Sequence, residues 1–185
     1  MNGGVTEESA EYVIRFILDK NLSANPPDLI KFIINSEGGA LDEGFAIMDM
    51  MDSTPIPIHT YALGKCFSAG LFIFMNGEPG HRYVFNRTTM MTHQWSGTMD
   101  GKEHELKAWE KASKVTTKII TDLYEAKTGM SRRLITKKLL GPTDVYMDAN
   151  EAIKYGFADE IVGSIEFQRN DEEEIVDILL ETTSE

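Results

Sequence analysis

Ser68 lies in "GKCFSAGLFIFMNG", residues 64–77, where a predicted strand gives way to an apolar helix. A hydroxyl there has two readings. It is a small residue that lets a helix pack closely, or it is a nucleophile. The first turn of a helix leaves backbone N–H groups without intrahelical partners and carries the positive end of the helix dipole, and both favour a developing oxyanion. The flanking pattern is not G-x-S-x-G, because Cys66 stands where that motif needs glycine, so an α/β-hydrolase elbow is not supported. A serine nucleophile needs a base, and the base an orienting carboxylate. His93 closes the run "TTMMTH" beside a Gln-Trp-Ser-Gly loop, a strand end from which an imidazole can reach a site. Asp144, in "GPTDVYMDANEA", either caps a helix or orients that imidazole. Asp148, with Glu151 three residues on, is the better cap, which leaves Asp144 spare.

Other candidates are weaker. Cys66 is an alternative nucleophile but reads as a small packing residue just ahead of the helix. His59, His81 and His104 read as surface or packing residues. No two histidines stand at a metal-ligand spacing and Cys66 has no cysteine partner, which argues against zinc. Gly38 and Gly39 follow a strand and precede a helix, so they suggest a tight turn whose backbone approaches something closely. They lack the G-x-x-x-x-G-K phosphate pattern. Trp95 and Trp109 read as packing or interface aromatics.

The elements that must position these residues follow from periodicity. Helical spacing marks residues 8–20, 40–52 and about 68–76. The longest helical pattern, 102–128, carries Leu106, Trp109, Ala112 and Ile119 and ends at Gly129 as a C-terminal cap. Shorter helices are predicted at about 131–139 and 148–155. Strands are predicted at 29–35, near 56–63 and near 159–163, with "HRYVFNRTTMMTH" as two short strands or one bent one. "QWSGTMDG" reads as loop or exposed strand. Such alternation means an α/β fold with parallel strands.

The chain has 185 residues, enough for one domain, here 1–163, followed by an acidic tail over 164–185; after Arg169 there are seven acidic residues and no basic one. A net charge of −12 argues against a general nucleic-acid binder. One cysteine excludes an internal disulfide and makes a reducing, cytoplasmic compartment the default. The first residues lack the regions of a secretory signal, and the longest apolar run is too short to span a bilayer.

Four motifs in order resemble the proteolytic subunit of the Clp protease, ClpP, over roughly Val5 to Val162. "IINSEGG" is similar to the family's "INSPGG", "KCFSAG" to "AASMG", "MMTHQ" to "MIHQ", and "TDVYMDANEAIKYGFADEIV" to "RDxFMSAxEAxxYGLID". The resemblance implies a crotonase-like α/β spiral of short strands and helices, with the helix at 102–128 as a protruding handle. It implies a self-compartmentalised serine endopeptidase acting on peptides and unfolded proteins, with Ser68, His93 and Asp144 as the triad. The backbone N–H groups of Gly38 and Ala69 would form the oxyanion hole, small Ala69 and Gly70 letting the chain turn tightly. It implies heptameric rings stacked as a tetradecamer, a Clp-type ATPase or a conventional ClpP subunit as partner, and no metal or cofactor. The rival within the family is a non-catalytic ring subunit that scaffolds an active partner.

Several positions depart from the family pattern. Glu37 replaces the proline of "NSPGG", Trp95 the proline after His-Gln, and Thr143 the arginine that bridges two rings. Lys31 and Ile33 replace two tyrosines of the ATPase-docking strand, and only "MNG" precedes Gly4, where the family has an axial loop and a strand. The expectation is intact catalysis with altered assembly and doubtful ATPase docking.

Overall fold

Two long strands rich in β-branched and aromatic residues form the centre of the computed structural model, which describes residues 1–167. They are β2 (Ile30–Gly39) and β3 (Ile58–Phe67), paired in parallel. Along β2 the inward positions Ile30, Phe32, Ile34, Ser36 and Gly38 are buried, the period-2 alternation of a strand. Strand β1 (Asn2–Val5) adds outside β2, and β4 (Arg82–Phe85) and β7 (Glu160–Val162) extend the other side, all in parallel. The first half of β3 pairs with β4, and its last residues, Lys65–Phe67, pair with β5 (Thr89–Thr92). Strand β6 (Val145–Met147) joins β5 antiparallel.

Helices α1 (Glu7–Leu22) and α2 (Leu41–Ser53) pack on each other and on β1. Helix α3 (Ala69–Met75) is apolar all round, and all seven of its residues are buried. Such a helix belongs to the core, each large side chain contributing roughly 1.5–3 kcal/mol of burial. Helix α4 (Glu103–Thr128) behaves differently. Of its residues only Ile120 and Tyr124 are buried, while Leu106, Val115 and Ile119 are exposed. Its first half therefore projects from the core, as a handle does, and Gly129 closes it in the left-handed conformation. Helix α5 (Arg132–Lys138) and helix α6 (Ala149–Lys154) follow, the latter capped by Asp148 with Glu151 in the reciprocal arrangement expected.

The fold is the α/β type expected, and the elements fall close to the predicted ranges. Three strand assignments differ. Sequence patterning predicts no strand at Asn2–Val5 and ends the strands that begin near 29 and 56 at about 35 and 63, whereas β2 continues to Gly39, where β1 pairs with Gly38 and Gly39, and β3 continues to Phe67, where it pairs with β5. Most of the acidic tail, from residue 168, lies outside the described residues. Among the described residues no helix is long and apolar enough to cross a membrane.

Candidate active site

Ser68 joins β3 to α3 in a conformation that serine rarely adopts. Its φ is 52° and its ψ −123°, and no other non-glycine among the described residues has a positive φ. Such backbone costs on the order of 1–3 kcal/mol and persists only where its surroundings over-determine it. Here they do. The Ser68 N–H donates to Met91 O at 2.9 Å, and its carbonyl accepts from Leu71 N at 3.0 Å and Phe72 N at 3.3 Å. One side is thus tied to β5 and the other to a fully buried helix.

Two glycines complete the enclosure. Gly38 has φ 88°, and a Cβ on it would lie 2.7 Å from Phe67 O and from Ser68 Cβ, and 3.0 Å from Ala69 N. Its backbone therefore rests directly against the serine. Gly70, read from sequence as a residue that eases the turn, has an ordinary φ. Its role is close packing, since a Cβ there would meet Ser36 Cβ at 2.9 Å. The two backbone groups expected to line an oxyanion hole are adjacent. Ala69 opens α3, so its N–H has no intrahelical acceptor. Gly38 N–H is engaged by Ser36 Oγ at 3.0 Å.

His93 follows β5 directly. Its Nε2 is 2.8 Å from Ser68 Oγ, across 25 residues of sequence. Its Nδ1 faces Asp144 Oδ1 at 3.6 Å, farther than a hydrogen bond reaches. The register explains the meeting. In the antiparallel pair of β5 and β6, Thr92 stands opposite Val145, so the next residues outward are His93 and Asp144. With Nδ1–H turned toward Asp144, Nε2 is free to accept the Ser68 proton. The His93 side chain is 30% exposed and that of Asp144 50%.

The other candidates fall away from this line. Cys66 is fully buried beneath Ser68, burial pushes its thiol pKa far up, and it donates weakly to Gly70 O at 3.5 Å. A thiol held neutral in an apolar site is inert. His59 and His81 stack on each other with centroids 3.9 Å apart, His81 Nδ1 lying 2.9 Å from Tyr83 Oη, so they are packing residues as expected. His104 is exposed near the start of α4.

From Gln94, the residue after His93, a cleft of about 460 Å³ runs between residues 94–97 and α4, and none of Ser68, His93 and Asp144 lines it. Trp95 and Trp109 meet edge to face at its wall, and Ser113, Thr117, Thr121 and Thr136 supply hydroxyls. No charged side chain lines it. Sequence alone predicts both tryptophans as packing or interface residues and carries no sign of the cleft they wall.

Known proteins share both sequence and shape with this chain. The Clp protease family model matches residues 1–164. The ATP-dependent Clp protease proteolytic subunit 1 of Chlamydia trachomatis serovar D is 35% identical over 162 residues, covering 86% of this chain and 83% of the relative. Its namesake in Protochlamydia amoebophila is 31% identical over 168 residues, covering 90% and 80%. Among solved structures, a ClpP1 mutant from Listeria monocytogenes superposes with a TM-score of 0.78 at 28% identity, covering 89% of this chain and 90% of its own. Over nearly all of its described length, then, this chain belongs to the Clp protease family.

Proposed function

We propose that the chain is a serine endopeptidase subunit in which Ser68 attacks a peptide carbonyl, His93 carries the proton and Asp144 orients the imidazole. The observation that carries this reading is the 2.8 Å contact between Ser68 Oγ and His93 Nε2, with Asp144 on the far side of the imidazole. His93 takes the hydroxyl proton as Oγ bonds to the carbonyl carbon, and then delivers it to the departing amine. Water repeats the cycle to release the acyl group. The oxyanion is received by Ala69 N–H and by Gly38 N–H, the latter exchanging Ser36 Oγ for the substrate oxygen. An active-site fluorophosphonate is expected to label Ser68, and Ser68→Ala is expected to lose both the label and peptide cleavage, by ~10⁴-fold or more. Cleavage persisting in a clean Ser68→Ala preparation would defeat the reading.

The compartment belongs to the same proposal. Leu106, Val115 and Ile119 are large apolar side chains exposed on α4, a surface that a second copy of this chain would cover. Stacked heptameric rings would enclose the triads and keep folded proteins from them. A native mass spectrum counts the subunits directly, and a monomer of full peptidase activity would remove this part of the proposal.

A further inference from the structure

Thr92 and Tyr124 are two polar side chains sealed inside the hydrophobic core, and the chemistry proposed above uses neither. Thr92 ends β5 and Tyr124 lies on the inner side of α4, and both are fully buried. Their hydroxyl oxygens are in hydrogen-bond contact, and Thr92 Oγ1 lies 3.4 Å from Leu139 O. The direction follows from the protons available. A carbonyl only accepts, so Thr92 gives its one proton to Leu139 and accepts from the Tyr124 phenol. Burial raises the phenol pKa, so it remains a donor throughout the neutral range. Tyr124 is itself fixed by edge contacts with Phe72 at 5.4 Å and Phe157 at 5.8 Å.

This relay brackets the site. Thr92 precedes His93. Gln94, which follows it, donates its side-chain N–H to Leu140 O at 2.7 Å. Both chain neighbours of His93 are therefore tied to Leu139 and Leu140, a few residues before Asp144, while the backbone of Thr92 pairs with Val145 just after it. An apolar pair of the same shape would satisfy the core nearly as well, because replacing both partners of a buried hydrogen bond is close to neutral for stability. What the hydroxyls add is direction and distance, between the strand that ends at His93 and the turn that ends at Asp144.

We propose that Thr92 and Tyr124 are positioning residues that set the separation of His93 from Asp144. The inference rests on the serine-peptidase reading. The His93–Asp144 contact is already 3.6 Å, so a small retreat of either segment separates the pair.

Full-length variants test this with a fluorogenic peptide. Tyr124→Phe and Thr92→Val each remove one hydroxyl at nearly constant shape, and each is expected to lower kcat about 10-fold with KM within about twofold of the parent. Thr92→Ser, which keeps the hydroxyl, is expected to stay within about threefold. In an Asp144→Asn background Tyr124→Phe is expected to change kcat by less than about twofold, since the carboxylate it positions is gone. Parental kcat in Tyr124→Phe, or an equal loss in both backgrounds, overturns the proposal. Should Thr92→Val fail to fold by circular dichroism, Tyr124→Phe and Thr92→Ser decide the matter. A parent chain that neither cleaves peptide nor takes up fluorophosphonate overturns the serine-peptidase reading itself, and this inference with it. An active parent with an indifferent Tyr124 overturns this inference alone.

Discussion

Ser68 is enclosed by buried backbone, whereas Asp144 stands half in solvent just before a three-residue strand. The serine is held by hydrogen bonds to β5 and α3, by the bare backbone of Gly38 and by a helix with no exposed residue. The aspartate is held by the register of β5 on β6 and by the bonds that tie residues 92 and 94 to the end of α5. Packed backbone has no slack, because interiors are as dense as organic crystals. Exposed side chains have several rotamers and are screened by water. Ser68, the proposed nucleophile, is thus fixed by steric exclusion and Asp144 by a few directional contacts. A steric change at the first end should be far costlier than a chemical change at the second.

The largest effect is expected at Gly38. An alanine there needs a φ near 88° and a Cβ 2.7 Å from Phe67 O and Ser68 Cβ, neither of which can move without disturbing the turn. Displacing a reacting atom by about 1 Å costs ~10²-fold, and here a proposed oxyanion donor moves as well. Gly38→Ala is expected to lose at least ~10³-fold in kcat/KM and to melt at lower temperature. Near-parental activity in Gly38→Ala would show that the turn at Ser68 adapts, and the contrast drawn above would collapse.

The steric end was the more legible in the sequence. "IINSEGG" and "KCFSAGLFIF" announce a strand, a glycine pair and an apolar helix, and short-range patterns of this kind survive folding because each is locally consistent. The role of Gly70 was misassigned, because a glycine needed for close approach and one needed for a turn look alike in sequence. Strand β1 was missed because Asn2-Gly3-Gly4-Val5 has no strand propensity of its own and becomes a strand by pairing with β2. The apolar residues of α4 were legible, but which of them face the core was not. Ile119 proved exposed while Ile120 and Tyr124 are buried, since a long helix that touches the core at one end has no single inward stripe. The contact between Thr92 and Tyr124 joins residues 32 apart and leaves no local trace.

At the other end, Asp144→Asn removes the charge and keeps the shape. In the serine-protease template, where the aspartate is buried and hydrogen-bonded to the histidine, the same substitution costs ~10⁴-fold, a value taken from that system. Asp144 is half exposed and 3.6 Å from the imidazole, so water screens and partly replaces it. A loss of about 10²-fold in kcat is expected, with labelling of Ser68 slowed to match. A loss approaching 10⁴-fold would mean that the pair closes to a true hydrogen bond in the working enzyme, and the two ends would then be equally fixed.

The smallest effect is expected from the one charged pair at the steric end. Glu37 Oε2 lies 2.9 Å from Lys65 Nζ, beside Gly38. Their side chains are 51% and 44% exposed. The hydrogen bond from Lys65 is the main cause holding the Glu37 carboxyl below its ordinary pKa, with a backbone hydrogen bond second. A depressed folded-state pKa means that the pair's contribution is fully present above the unfolded value, about 4.3, and is lost as pH falls through the lower folded one. Solvent screening limits it to roughly 0–1 kcal/mol. Glu37→Gln is therefore expected to lower stability at pH 7 by at most about 0.5 kcal/mol, by urea denaturation. The difference should shrink toward pH 3 and in high salt, and peptidase activity should stay within about twofold. If steric exclusion alone fixes the turn at Ser68, that indifference must hold. A tenfold loss of activity in Glu37→Gln, reversed by Glu37→Asp, would instead place this surface ion pair among the forces that align Gly38 with Ser68.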